Sequence, residues 1–146
     1  MKKLALIAIV LAAVYFGGVE TGLIPGRQDT ATQTSGGDQL LTAAFESHRS
    51  NLQVEGSGRV SRVLPDDNDG SRHQRFIVQL GTGQTVLVAH NIDLAARVAS
   101  LKVGDPVEFN GEYEWNERGG VIHWTHRDPQ RRHVDGWIRH NGRTYQ

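Results

Sequence analysis

The sequence predicts an all-β domain with a short helix: an OB-fold-like five-stranded barrel set behind an N-terminal membrane segment. Three observations carry that reading. From Val54 onward apolar residues recur with a period of two, the spacing of half-buried strands. The periodic runs come as three strands, a short helical stretch, then two more strands, the order of an OB-fold. The first run carries Gly56 and Gly58, as suits a strand that bends to serve both sides of a closed sheet. Closure also removes the edges that an exported sheet would otherwise expose. An open antiparallel sandwich is the alternative.

The elements follow in order. Lys2 and Lys3 precede an unbroken apolar run from Leu4 to Phe16, continuing through Gly17-Gly18-Val19 to Glu20. A positive head before such a run is an export signal. The run falls a little short of the roughly 20 residues that span a bilayer. Tyr15 and Phe16 stand where a cleavage site wants small residues, which favours a retained anchor over a cleaved signal. Residues 1–19 are therefore read as the signal or anchor segment. Residues 4–19 would meet the inner membrane, and everything after them would lie on the periplasmic or extracytoplasmic side. Residues 20–37 are polar and aperiodic, a flexible linker. Residues 38–146 are read as one OB-like domain with an irregular C-terminal tail.

Asp38 is placed as an N-cap. Leu40, Leu41, Ala44, Phe45 and His48 follow at helical spacing, with His48 at the helix boundary. In the first strand Val54, Gly56, Gly58 and Val60 alternate with Glu55, Ser57, Arg59 and Ser61. It runs into the turn-rich Leu64-Pro65-Asp66-Asp67-Asn68-Asp69-Gly70. In the second, Phe76, Val78 and Leu80 point one way and His73, Arg75, Ile77 and Gln79 the other. Gly81-Thr82-Gly83-Gln84 turns the chain into a third strand, with Val86, Val88 and His90 on one face. Leu94 to Leu101 reads as a short helix with Leu94, Val98 and Leu101 inward. The fourth strand sets Val107, Phe109, Gly111, Tyr113 and Trp115 against Glu108, Asn110, Glu112 and Glu114. The fifth runs from Val121 to His126.

Composition bounds the rest. There is no cysteine, so an exported domain must hold together by its core alone. The length suffices for one modest core and not for two domains. The formal net charge is zero, so no global field draws the chain to nucleic acid or membrane. The balance is uneven: from Glu117 to Gln146 six arginines stand against three acids.

Several runs together carry a family resemblance. They are His73-Gln74-Arg75-Phe76, Ala89-His90-Asn91-Ile92-Asp93-Leu94-Ala95, Gly111-Glu112-Tyr113-Glu114-Trp115-Asn116, Gly119-Gly120-Val121-Ile122-His123-Trp124-Thr125-His126 and Gly136-Trp137-Ile138. With them the chain resembles the domain-of-unknown-function 3465 family, a family of small exported bacterial proteins, from Ala44 to Tyr145. The resemblance implies one exported domain and brings no established activity. The acid-rich and arginine motifs of thermonuclease-like OB enzymes are not apparent.

Chemistry concentrates near the C-terminus, where four of the seven histidines follow position 122. His123, His126, Asp128 and His133 are candidate ligands for a divalent transition metal such as zinc, which takes imidazole and carboxylate donors. Their spacing is not a standard zinc signature. His123 and His126 point to opposite faces of a strand unless it ends or bulges near Thr125. The competing reading makes these histidines hydrogen-bonded rivets that fix the tail to the barrel. A third reading is a histidine acid or base without metal.

The second group is His73, Arg75, His90 and Asn91, with Trp124 and Trp137 as stacking platforms: a candidate ligand-binding face. OB-folds bind oligonucleotides or oligosaccharides over strands two and three, and Arg75 is a candidate anion clamp. The ordinary alternatives are a solvated Arg75 and an Asn91 or Asp93 that caps the next helix. Asp66 to Gly70 fails the EF-hand register, because Pro65 takes the first ligand position, so it reads as an acidic hairpin loop. Glu112 and Glu114, outward on strand four, read as cross-strand partners of Arg59 or Arg62, with acid–base or metal chemistry as the alternative. Trp115 follows the core alternation.

Two functions compete. One is a membrane-tethered binding module for an anionic, oligosaccharide or oligonucleotide ligand. The other is a metal-dependent hydrolase of phosphoester type, with His123, His126 and His133 as ligands and Asp128 or Glu114 as base.

Overall fold

The computed structural model describes residues 35–146. The expected signal or anchor segment, residues 1–19, and the expected linker as far as residue 34 lie outside the described residues. No helix among the described residues is long and apolar enough to cross a membrane.

The described chain is mostly strand with one helix. Helix α1 (Gly36–Glu46) is followed by β1 (Leu52–Asp67), β2 (His73–Gln79), β3 (Thr85–Asn91), β4 (Pro106–Glu114), β5 (Val121–His123), β6 (Trp137–His140) and β7 (Arg143–Tyr145). Five strands form a ring in the order β1-β2-β3-β5-β4, closed by antiparallel pairing of β4 with β1. β3 and β5 are its parallel neighbours. The β6–β7 hairpin extends the sheet from β4.

Strand β1 closes the ring because it is long enough to be used twice. Leu52 to Arg59 pairs with β4, and Arg59 to Asp67 pairs with β2. Register shifts between Val60 and Arg62, and between Leu64 and Asp67, break its second half, as bulges do where a strand bends. At Gly56 the Phe109 ring lies 2.7 Å from where a Cβ would stand, so only glycine lets β1 pass so close to that ring.

The alternation expected for β1 to β4 is observed. Val54, Val60, Phe76, Val78, Val86, Val88, Val107, Phe109 and Tyr113 are buried, with Ile122 from β5 and Ile138 from β6. Each such side chain contributes about 1.5–3 kcal/mol of transfer free energy. Leu41 and Ala44 of α1 join this core, and Trp115 packs against it while donating from Nε1 to the Phe45 carbonyl, 3.1 Å.

Four expectations are corrected. The helix starts earlier than Asp38: Ser35 is the N-cap and its hydroxyl accepts from the Asp38 amide, 3.1 Å. Asp38 instead sits buried in the first turn, where its carboxylate accepts from the Gly81 amide at 2.9 Å and ties α1 to the β2–β3 turn. Leu94 to Leu101 is not helical. Its backbone groups bond to distant side chains: Gln74 holds both polar groups of Val98, His90 lies 3.0 Å from the Ala96 carbonyl, and the Tyr145 hydroxyl accepts from the Ala99 amide. β5 stops at His123, because Trp124 takes a left-handed φ of 55°. The tail is not irregular throughout. Asn141 and Gly142, both at positive φ, turn β6 into β7, and Ile138, His140 and Tyr145 are buried.

Candidate functional site

The outward face of β4 carries the densest chemistry among the described residues. Alternation that buries Phe109, Gly111 and Tyr113 turns Asn110, Glu112 and Glu114 outward. Registers then choose their neighbours. Glu112 stands opposite Gln53 of β1 and His123 of β5, and Asn110 opposite Trp137 of β6. Arg59 faces Pro106 and donates to the Gly104 carbonyl, so it is not the partner of Glu112 or Glu114. Histidines take that place.

Glu112 Oε2 lies 2.9 Å from His133 Nε2 and 3.9 Å from His123 Nε2. His123 Nε2 is also 3.5 Å from Glu114 Oε1. It is shielded from solvent and has no hydrogen-bond partner. Asn51 lies against the same group: with its NH2 facing the carboxylates it donates to Glu114 Oε1 at 3.1 Å and Glu112 Oε1 at 3.3 Å. The cluster is half-buried, with side-chain exposures of 17% for Glu112 and 22% for His133.

His133 is held at both ring nitrogens and on one ring face. Its Nδ1 is 2.8 Å from the Val134 carbonyl, and its ring stacks on Trp124 with centroids 4.2 Å apart. Burial lowers its pKa, but the Val134 carbonyl and the Glu112 carboxylate raise it more, so the net shift is upward. A neutral ring donates from one nitrogen only, yet both nitrogens here face oxygen acceptors.

The left-handed Trp124 organises this arrangement. Positive φ in a bulky residue costs on the order of 1–3 kcal/mol and persists where surroundings impose it. Here it turns the indole outward onto His133 and sends the next two residues inward. Thr125 and His126 are both buried, and Thr125 Oγ1 lies 2.8 Å from His90 Nδ1. Gly136 passes against the Trp124 carbonyl, where any Cβ would collide.

The structure therefore divides the predicted metal group. His123 and His133 meet through Glu112. His126 is turned away, with Nδ1 2.7 Å from the Arg127 carbonyl. Asp128 accepts from the amides of Gln130, Arg132 and His133 and so shapes the loop. These amides hold its carboxyl below the usual range, the Gln130 amide contributing most. Among the described residues no three His, Cys, Asp or Glu side chains are posed as a ready metal cage.

The predicted ligand face is divided too. His90 is fully buried, its pKa lowered to about 4, chiefly by burial. His73 and Arg75 lie outward on β2, at 2.8 Å from the Ser71 carbonyl and 3.0 Å from the Pro65 carbonyl respectively. Asn91 caps a turn, accepting from the Asp93 amide. Trp124 and Trp137 are half-buried on the β4–β5–β6 side, and the Arg139 guanidinium lies 3.9 Å over Trp137. Asn51 and Gln53 were not anticipated. Gln53 alternates outward beside Val54, a readable signal, whereas Asn51 arrives through the turn after α1 at a φ of 60°.

No curated protein matches the sequence. The family model described as "Protein of unknown function (DUF3465)" matches residues 28–146. The chain belongs to that family.

Proposed function

We propose that this is an OB-type binding module, and that its ligand is an oligosaccharide held on the outer face of β4, β5 and β6. The strand order β1-β2-β3-β5-β4, with closure of β4 onto β1, supports the OB-fold reading. The carrying observation is the pair of half-buried indoles, Trp124 and Trp137, on a face that also carries Gln53, Asn110, Glu112 and Glu114, with His133 stacked on Trp124 and Arg139 over Trp137. Amides and carboxylates accept and donate to sugar hydroxyls, while indoles stack on the apolar faces of sugar rings. The carboxylates repel a phosphate backbone, which favours the saccharide over an oligonucleotide or other anion. The apolar run of residues 4–19 supports export and tethering to the inner membrane.

The test is tryptophan fluorescence titration of the chain in chelator with neutral oligosaccharides and with single-stranded oligonucleotides. Saccharide binding weakened at least about tenfold by Trp124→Ala or Trp137→Ala is expected. Binding of oligonucleotide and of no saccharide overturns the reading. Phosphoester hydrolysis is a second reading, favoured by the convergence of His123 and His133 on Glu112. Turnover of bis(p-nitrophenyl) phosphate by metal-supplemented protein would support it.

A further inference from the structure

We propose that the hollow between the β6–β7 turn and the junction of β1, β2 and β4 binds a small zwitterion of the amino-acid type, free or as a short peptide. The hollow adjoins the saccharide face through Arg139, whose guanidinium lies over Trp137, but does not rest on that reading.

Shape comes first. Strand β1 leaves β4 for β2 at Arg59, which pairs with both Pro106 and Gln79. The hollow opens at this change of partners, and Asn141 and Gly142 of the β6–β7 turn form its far wall. Its volume is about 820 Å3. Sites for small molecules run from about 300 to 1,000 Å3 and combine an apolar surface with a few placed polar groups. Leu80 and Val107 supply the apolar part.

Polar satisfaction points to an occupant. His140 lies in the wall with its side chain only 1% exposed. Its Nε2 donates to Asp105 Oδ2 at 2.8 Å, so in the neutral ring Nδ1 carries the lone pair. Nδ1 is shut off from solvent and bonds to nothing. A buried polar atom without a partner is uncommon, and this one calls for a donor.

Charge sets the class of ligand. Glu108 stands opposite Arg139 of β6 on one side and Ser57 of β1 on the other. Arg59, two residues beyond Ser57, is its diagonal neighbour at about 7–8 Å. All three charged residues alternate outward, so the carboxylate is flanked by a guanidinium on each side. The Arg139 contact is loose, at 3.8 Å. Arg59 spends one N–H on the Gly104 carbonyl, and each guanidinium keeps others to spare. Asp38, the second acid in the wall, is already engaged by the Ser35 hydroxyl and the Gly81 amide. Two guanidiniums and two carboxylates leave the lining formally neutral. A simple anion would meet Glu108, and a simple cation would meet both arginines. A zwitterion satisfies all of them: its carboxylate lies with Arg59 and Arg139, its ammonium with Glu108, and a remaining N–H serves His140 Nδ1.

The test uses the full chain. Thermal shifts are read with each of the common amino acids and with tetra-alanine, and the best binder goes to calorimetry beside its N-acetylated and C-amidated forms and acetate. One ligand per chain is expected, with either block raising the Kd at least about tenfold. A free amino acid as best binder supports the small ligand, and tetra-alanine supports the peptide. Arg59→Gln and Glu108→Gln, both at exposed positions, should each raise the Kd at least about tenfold, whereas Glu117→Gln and Arg118→Gln should leave it unchanged. The 15N resonance of His140 Nδ1 should move on saturation. The proposal is overturned if the folded wild-type chain binds no zwitterion, if the blocked forms or acetate bind as tightly, or if both variants keep the wild-type Kd. None of these variants touches Trp124 or Trp137, so saccharide titration stands or falls separately.

Discussion

Gln74 grips Val98 by both of its backbone polar groups: Nε2 donates to the Val98 carbonyl at 3.1 Å, and Oε1 accepts from the Val98 amide at 2.8 Å. The side chain thereby substitutes for the hydrogen bonds of a helix and fixes Val98 in the core. Gln74→Met keeps the volume and orphans two buried backbone groups. Each orphan costs roughly 1–3 kcal/mol, so a loss of about 3 kcal/mol is expected from the urea midpoint.

His90 gives stability a pH dependence of known sign. Burial holds its pKa at about 4, against 6.5 in the unfolded chain. Between those values the unfolded state binds the extra proton, so stability falls as pH is lowered from 6.5 towards 4. The full effect is about 3 kcal/mol. Above pH 6.5 both states are neutral at this site and the contribution is constant. His90→Gln keeps a donor for Ala96 and an acceptor for Thr125, and should flatten the slope of stability against pH in this window. An unchanged slope in thermal melts from pH 4 to 7 would show that another group carries it.

Gly136 controls the pose of Trp124 by close approach. A Cβ there would meet the Trp124 and Asn110 carbonyls. Gly136→Ala must move the loop, so a shifted tryptophan emission maximum and a stability loss of roughly 2–4 kcal/mol are expected. A variant with wild-type emission would mean that the loop yields without turning the indole.

Asp128 holds the segment that delivers His133. Asp128→Ala leaves the amides of Gln130, Arg132 and His133 without their acceptor. Faster proteolytic nicking between residues 127 and 134 is expected, with the remaining domain folded. Limited proteolysis with mass spectrometry reads this directly.

Much of the strand pattern was legible because its cause is local. The alternation of Phe76 and Val78, or of Phe109 and Tyr113, records which side of a strand meets the core. The segment from Leu94 to Leu101 misled because its apolar spacing suits a helix, while the groups that hold it, Gln74, His90 and Tyr145, come from other strands. The C-terminal hairpin was readable at Asn141-Gly142, a strong turn signal that the histidines overshadowed. The histidine cluster itself was visible. Its division was not, because it depends on one left-handed residue, Trp124. Outward Glu112 and Glu114 were also visible, but the register that places Arg59 opposite Pro106 comes only with the closed ring.

Strand β4 is stitched to β1 along one edge and to β5 and β6 along the other. Its carboxylates therefore acquire their neighbours from chain made both long before and well after them. A chain emerging from the ribosome has Glu112 before it has His123, and His123 before His133 and Trp137. The ring has all five of its strands once β5 is made at His123, whereas the outward face of β4 becomes whole only when the later segment from His133 to His140 docks against it.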